Sequence, residues 1–272
     1  MGLRILWQNV FTEEIPERGE EISVVWEGIK RMAEKVVRPD TEVIVSHLDR
    51  WSGSLTSHYL ASINDLLIIN KLIKAEKEGY DAAVVGCYDD CGVRQAREVM
   101  DMPVIGPCES SLAIAHLIGQ KFVILTVAPQ YIPTMERNVR LYGFGERLIK
   151  HRPVRHFDPW YWDALLEAFR GKPDKLVQDF EKEALNCVRD GADTIIVGCA
   201  PCSAALTLAG YVEVADTGVP VISAAATALK MAETMADIRK NIGPVKTRCV
   251  TGPYQTTSRD LIDKALREFN LQ

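Results

Sequence analysis

Two stretches of the chain share one pattern, DAAVVGCYDDCG at 81–92 and DTIIVGCAPCSA at 193–204. Each sets an Asp before a short apolar run, then Val-Gly-Cys, then a second cysteine. Each leads on to Pro-Val-Ile, at 103–105 and 220–222, and then to a helix rich in small residues. The offset is 112 residues at Cys87 and Cys199 and 117 residues at the Pro-Val-Ile. A period this long is no solenoid repeat. It predicts two similar α/β halves related by a pseudo-twofold axis. The uninterrupted apolar run before each cysteine has the character of a parallel strand buried on both faces.

The flanking sequence continues the alternation. Strand-like runs fall at 4–8, 41–48, 102–107, 121–127 and 220–224. Helical periodicity covers 20–37, 61–80, 110–119, 130–143, 159–170, 173–191 and 225–243. Residues Ile22, Val25, Trp26, Ile29, Met32, Ala33 and Val36 share one face of the first helix. Gly119, Gly143 and Gly191 end three of the others. Strands alternating with helices predict βαβ units and doubly wound parallel sheets, Rossmann-like or flavodoxin-like. The expected division is 1–107 plus 220–272 for one lobe and 108–219 for the other. Ligands of such sheets sit beyond the carboxyl ends of the strands, so the cleft between the lobes is the expected site.

Cys87 and Cys199 each stand at such a strand end. If the halves face each other, two thiols approach one cleft from opposite sides. That arrangement suits racemisation or epimerisation. One thiolate removes a proton from a carbon and the other thiol returns one to the opposite face. Each cysteine is expected just before a helix, whose N-terminal partial charge and free N–H groups favour thiolate. Pro201 fits the first turn of the second such helix. Asp90 is expected either to cap the first helix or to touch substrate. Cys108, Cys187 and Cys249 read as packing residues, and so does His116, inside an apolar helix. His47 and His58 flank a Ser-, Gly- and Thr-rich loop at 51–59. Trp160, Tyr161 and Trp162 read as packing or an oligomer contact.

The composition narrows the class. With 32 basic and 37 acidic residues among 272, the formal charge is −5, which argues against nucleic acid as a partner. No apolar run approaches the ~18–20 residues of a membrane helix. Nor does the N-terminus carry a secretory signal. Seven cysteines, an odd number, fit a reducing compartment better than a disulfide framework. A cytoplasmic protein without membrane attachment is the expectation.

The motif residues resemble the Asp/Glu/hydantoin racemase superfamily, and within it the hydantoin and allantoin racemases. VVGCYDDCGVRQAREVMDMPVIGPCESS (84–111) is similar to that family's Cys-x-x-Asp-x-Gly stretch and its continuation. IIVGCAP (195–201) is similar to its second cysteine segment. FVILTVAPQYIPTMERNVRLYG (122–143) is similar to its strand-Thr and Ile-Pro-x-x-Glu helix, and RILWQN (4–9) to its first strand. The resemblance covers roughly residues 1–240. It implies a cofactor-independent isomerase without metal, with Cys87 and Cys199 catalytic. It implies Asn9 and Thr126 on the substrate side, and Tyr88, Asp90 and Ala200, next to the two cysteines in sequence, are further candidates for substrate contact. The substrate is expected to be a small molecule with an acidic α-carbon, a hydantoin-type cyclic ureide or an amino-acid derivative, and the protein a homo-oligomer.

The chain departs from the family pattern at Cys91, Pro201 and Cys202, and its first-strand motif is reduced to Asn9-Val10-Phe11. A tail at about 243–272 runs past the usual end, as an oligomer contact or a lid. Four alternatives stay open. One is a maleate-type cis–trans isomerase or related lyase of the same superfamily. Another is a non-catalytic sensor on the same scaffold. A third is a zinc site formed by Cys87-x₃-Cys91 and Cys199-x₂-Cys202. The last is a redox Cys199-Ala-Pro-Cys202.

Overall fold

The apolar runs become two sheets. The computed structural model describes residues 2–15, 18–19, 21–157, 161–247, 249 and 258–269. The first sheet holds β1 (Leu3–Thr12), β2 (Thr41–Leu48), β3 (Ala82–Val85) and β4 (Val104–Ile105), in the order β2-β1-β3-β4. The second holds β5 (Phe122–Thr126), β6 (Val154–His156), β7 (Thr194–Val197), β8 (Glu213–Val214) and β9 (Val219–Ser223), in the order β6-β5-β7-β9-β8. All pairings are parallel except that of β8 with β9. The four strands of the first sheet correspond in order to β6, β5, β7 and β9, and β8 is an addition at the edge. The central strands AAVV, FVILT and TIIV are buried along their whole length, because helices cover both faces.

Strand β6 has no counterpart in the sequence reading because a charge interrupts it. Arg155 is nevertheless 2% exposed. Its guanidinium donates to Asp190 at 2.6 Å and to the His151 carbonyl at 2.9 Å. A buried guanidinium needs such partners.

Ten α-helices connect the strands among the described residues: α1 (Glu21–Val36), α2 (His58–Lys77), α3 (Val93–Val99), α4 (Pro107–Ile118), α5 (Ile132–Leu141), α6 (Tyr161–Phe169), α7 (Asp174–Arg189), α8 (Ala200–Ala209), α9 (Ala224–Asn241) and α10 (Arg259–Glu268). Helix α1 buries Ile22, Val25, Ile29, Met32 and Ala33, the stripe expected from its periodicity. It packs on α6, α8 and α9, so helices of both halves form one layer between the sheets. Gly28 lets α1 and α6 meet closely, since a Cβ there would fall 2.1 Å from the Phe169 ring. One apolar core runs through this layer, from Ile5, Trp7 and Val84 of the first sheet to Leu125, Ile195 and Val197 of the second.

The halves exchange their last helices. Helix α4 follows β4 of the first sheet but packs on β7 and β9 of the second. Helix α9 follows β9 of the second sheet but packs on β1, β3 and β4 of the first. The chain therefore rejoins the first half at Ala224, not at 220. Strand β9 pairs Val221 with Ile195 and Ile222 with Ile196 inside the second sheet. Its buried backbone N–H and C=O groups need ladder partners, and β7 supplies them.

Two packing assignments change. Cys108 and Cys187 are buried as expected, but Cys249 is exposed. His116 is also exposed, one turn from the end of α4 and 6.0 Å from the Phe144 ring. Pro159 and Trp160 lie outside the described residues, as do 250–257 and 270–272 of the tail. Helix α10 of the tail buries Ile262 against the outer face of the first half, where Leu266 also packs. No helix of the described residues is long and apolar enough to cross a membrane.

Candidate active site

Strands β3 and β7 end in the same way. Register pairs Gln8 with Val85 and Leu125 with Val197, which sets Asn9 beside Gly86 and Thr126 beside Gly198. Each glycine precedes a cysteine. A Cβ on Gly86 would lie 2.6 Å from Trp7 Nε1, and one on Gly198 would lie 2.5 Å from Ile124 Cγ2. Only glycine admits this approach of neighbouring strands. Cys87 and Cys199 follow, both half-buried, and both line one cavity of about 90 Å³. This is room for a small molecule.

Six of the seven sequence-predicted residues line the cavity, namely Cys87, Cys199, Asn9, Tyr88, Thr126 and Ala200, and Asp90 does not. Asn9 is oriented by its neighbours. An indole N–H is donor only, so Trp7 Nε1, at 2.9 Å, fixes Asn9 Oδ1 as its acceptor. Asn9 Nδ2 then donates to His47 Nδ1 at 3.3 Å and keeps one amide hydrogen for a ligand. Burial lowers the pKa of His47, which keeps the ring neutral with its proton on Nε2. The Thr126 hydroxyl donates to the Gly198 carbonyl at 3.1 Å and so holds the peptide before Cys199.

Cys199 is the N-cap of α8, with Pro201 in the first turn. The amides of Ala200 and Cys202 in that turn have no intrahelical acceptor and face the positive end of the helix dipole. Cys87 has no equivalent helix. Residues 87–92 form a turn, closed by Asp90 N–H to the Cys87 carbonyl at 3.2 Å and Val93 N–H to the Asp90 carbonyl at 3.2 Å. Helix α3 begins only at Val93, after Gly92 at φ 66°.

Both Asp90 and Tyr88 belong to this turn; Asp90 is committed away from the cavity, and Tyr88 lines it while its hydroxyl is bonded elsewhere. Asp90 caps α4, not α3. Its Oδ1 accepts from Cys108 N–H and its Oδ2 from Glu109 N–H, each at 2.9 Å. The Tyr142 hydroxyl, just past the end of α5, adds a third bond to Oδ2 at 2.9 Å. Burial lifts this carboxyl to about 7 against the pull of those three donors. The Tyr88 ring enters the outer core of the second half with Cys108 and Leu112, and its oxygen accepts from Ser111 Oγ at 3.5 Å.

Three lining residues escape sequence reasoning. Tyr131 ends a 3-10 turn, Pro129–Tyr131, after β5 and faces both thiols. Burial first, then the neighbouring Cys87 and Cys199, push its phenol well up, so it stays protonated. Trp26 reaches the cavity from α1, its indole N–H donating to the Glu13 carbonyl at 2.8 Å. Asp89 lines the cavity where Asp90 was expected. These residues come from separate segments, and although Asp89 and Tyr131 fall inside the quoted stretches, no motif position marks them as lining residues. Only their positions, in loops past strand ends or on the stripe of α1, mark them.

Each cavity cysteine has a buried thiol behind it. Cys91 is raised well above the usual thiol range, first by its hydrogen bond to Cys87 and then by burial. Cys202 is raised by burial and by Cys199. Both stay protonated near neutrality. Among the described residues no group of three His, Cys, Asp or Glu side chains is placed to hold a metal ion.

Comparison with known proteins identifies the family. A model of the Asp/Glu/hydantoin racemases matches residues 24–232. The chain belongs to the Asp/Glu/hydantoin racemase family. Its relatives are isomerases, and so is this enzyme. A hydantoin racemase of Pseudomonas sp. (strain NS671) is 31% identical over 228 residues, covering 81% of this chain and 84% of the relative. Another, from Rhizobium meliloti, is 33% identical over 169 residues, covering 62% and 65%. The allantoin racemase from Klebsiella pneumoniae shares the fold with a TM-score of 0.74 at 22% identity, over 95% of both chains. The match to the family thus spans both strand ends that carry the cavity cysteines.

Proposed function

We propose that the chain is a cofactor-independent racemase of hydantoin-type cyclic ureides, with Cys87 and Cys199 as its acid–base pair. One observation carries this reading. Two thiols, at corresponding strand ends of two halves with the same strand order, line one small cavity. The relatives named hydantoin racemase support the substrate class.

One cysteine enters as thiolate and the other as thiol. The thiolate takes the proton from the ring carbon, and the C–H electron pair moves into the adjacent carbonyl as an enolate. The opposing thiol gives its proton to the other face, the carbonyl re-forms, and the thiolate now sits on the second cysteine. The roles swap for the other enantiomer. Proton transfer by a positioned group contributes ~10²–10⁴-fold. The first-turn amides of α8 and the spare Asn9 hydrogen stabilise the developing enolate charge.

The test follows single enantiomers of 5-substituted hydantoins in D₂O by proton NMR and polarimetry. The wild type exchanges the ring C–H and loses optical rotation without added cofactor. Cys87→Ser and Cys199→Ser abolish racemisation. A Cys87→Ser enzyme that racemises normally rejects the two-thiol mechanism.

A further inference from the structure

Asp89 and Asp90 are adjacent and both buried at the acid group, yet only one carboxyl is satisfied. Asp90 spends both oxygens on three donors. Asp89 Oδ1 is buried and has no hydrogen-bond donor among the described residues. Leaving a buried carboxyl oxygen unpaired costs on the order of 1–3 kcal/mol. The turn itself is not loose. Asn138 Nδ2 donates to the Asp89 backbone carbonyl at 2.9 Å and pins it from α5.

No side chain of the cavity donates to Asp89 Oδ1. Val10, Phe11, Leu55 and Met135 contribute apolar surface, and the Trp26 indole N–H is already given to Glu13. Arg137 influences the carboxyl only through space. Asp89 borders both this cavity and a second one lined by Asp65 and Arg137, and a ligand held between the thiols can supply the missing donor. The groups of the cavity left to donate to a ligand include the spare Asn9 hydrogen, the α8 amides and the Tyr131 hydroxyl. One acceptor among several donors, around two thiols, matches a ligand whose reacting carbon lies between an N–H and a carbonyl.

We infer that Asp89 accepts a hydrogen bond from the N–H attached to the reacting carbon, and that this bond selects cyclic ureides over rings lacking that N–H. Asp89 is thus a specificity-determining residue. The inference rests on the racemase reading above and narrows its substrate class.

The experiment compares a 5-substituted hydantoin with the oxazolidine-2,4-dione of the same substituent. In that ring, oxygen replaces the N–H beside the reacting carbon at nearly constant shape. Racemisation is measured for wild type, Asp89→Ala and Asp89→Asn, and binding of both rings by calorimetry. A site built around an N–H rejects the analogue lacking it, here by about 10–100-fold in kcat/KM for the wild type. Asp89→Ala loses a similar factor on the hydantoin and no longer discriminates between the rings. Asp89→Asn keeps a carbonyl acceptor and retains most of the discrimination.

Equal rates on both rings in the wild type, or undiminished discrimination in Asp89→Ala, overturn the inference and leave the racemase reading intact. Asp89-dependent binding of hydantoin without racemisation supports the inference and rejects the reaction. A chain that neither binds nor racemises hydantoins rejects both.

Discussion

Asp90 sits at φ 52°, a left-handed conformation that a residue with a Cβ adopts at some cost. Its carboxylate secures the turn, because both oxygens accept. An Asn cannot reproduce this, since its NH₂ group would face a donor. Asp90→Asn should lose about 2 kcal/mol of stability. Gly106→Ala should act on the same contact from the other side. A Cβ there falls 2.2 Å from the Asp90 carboxyl carbon. Thermal melts check both, and an unchanged Tm in either would show that the cap contributes little. Asp89 gives a pH signature. Burial raises its pKa to about 7, against about 3.9 for a free Asp. The folded chain therefore holds a proton between these values that the unfolded chain has released. The resulting stability is complete below the unfolded pKa and is lost as pH rises through the folded one. Asp89→Asn has no such loss, so its Tm should gain on wild type between pH 5 and pH 8. A constant difference between the two melts would reject the assignment. At this scale the paired cysteines are legible from the repeat alone. Tyr131 is not, because nothing in Pro129-Gln130-Tyr131 distinguishes a lining phenol from a surface one.

Elements were legible where burial left a continuous or periodic apolar record. Strands β3, β5 and β7 are such runs, and α1 shows its stripe openly. Strand β6 escaped because of Arg155, and β8 because it has only two residues. Helix α10 lies in the tail and is buried chiefly by tertiary contact. Its role is now clearer than the sequence allowed. Ile262 and Leu266 pack with the layer formed by Ile68, Leu72 and Val93, and among the described residues none of α10 lines the cysteine cavity. Lys246 anchors the start of the tail by donating to the carbonyls of Arg97 at 2.9 Å and Met100 at 2.6 Å, at the end of α3. Over its described residues, this helix braces the first half. Ile262→Asp should therefore cost about 2 kcal/mol, in the range for losing a buried aliphatic side chain. The kcat/KM of that variant should stay within about twofold of wild type, since large losses require disturbed reaction geometry. A tenfold fall in kcat/KM at unchanged Tm would restore the lid.

The two halves share a strand order but not independence. Each gives its last helix to the other sheet, and Glu233 fastens the exchange. Although Glu233 is 4% exposed, its carboxylate accepts from Arg38 N–H at 2.9 Å, Thr41 Oγ1 at 2.7 Å and Lys230 Nζ at 2.8 Å. Two of those donors lie in the connection from α1 to β2 and at the start of β2, so α9 is tied to the first half by buried polar bonds as well as by packing. The cavity gains from this. Its two thiols stand on different sheets, and their separation is fixed only as well as the sheets are fixed to each other. The common core through α1, α6, α8 and α9 does that. The repeat in the sequence announced two halves, but the exchange was invisible there, because a small-residue helix after Pro-Val-Ile reads the same whichever sheet it covers. Unfolding should accordingly be one cooperative transition, as a shared core demands. With Trp160 and Trp162 replaced by Phe, Trp7, Trp26 and Trp51 report the first half by fluorescence, and Cys187, buried in α7, reports the second by thiol labelling. Their denaturation midpoints should coincide. Removing the carboxylate in Glu233→Ala should lower both together, by about 2–3 kcal/mol for the donors left unpaired. Labelling of Cys187 at a denaturant concentration where the tryptophan signal is still native would show that the halves open separately, and the thiols would then lack the common frame that their shared cavity requires.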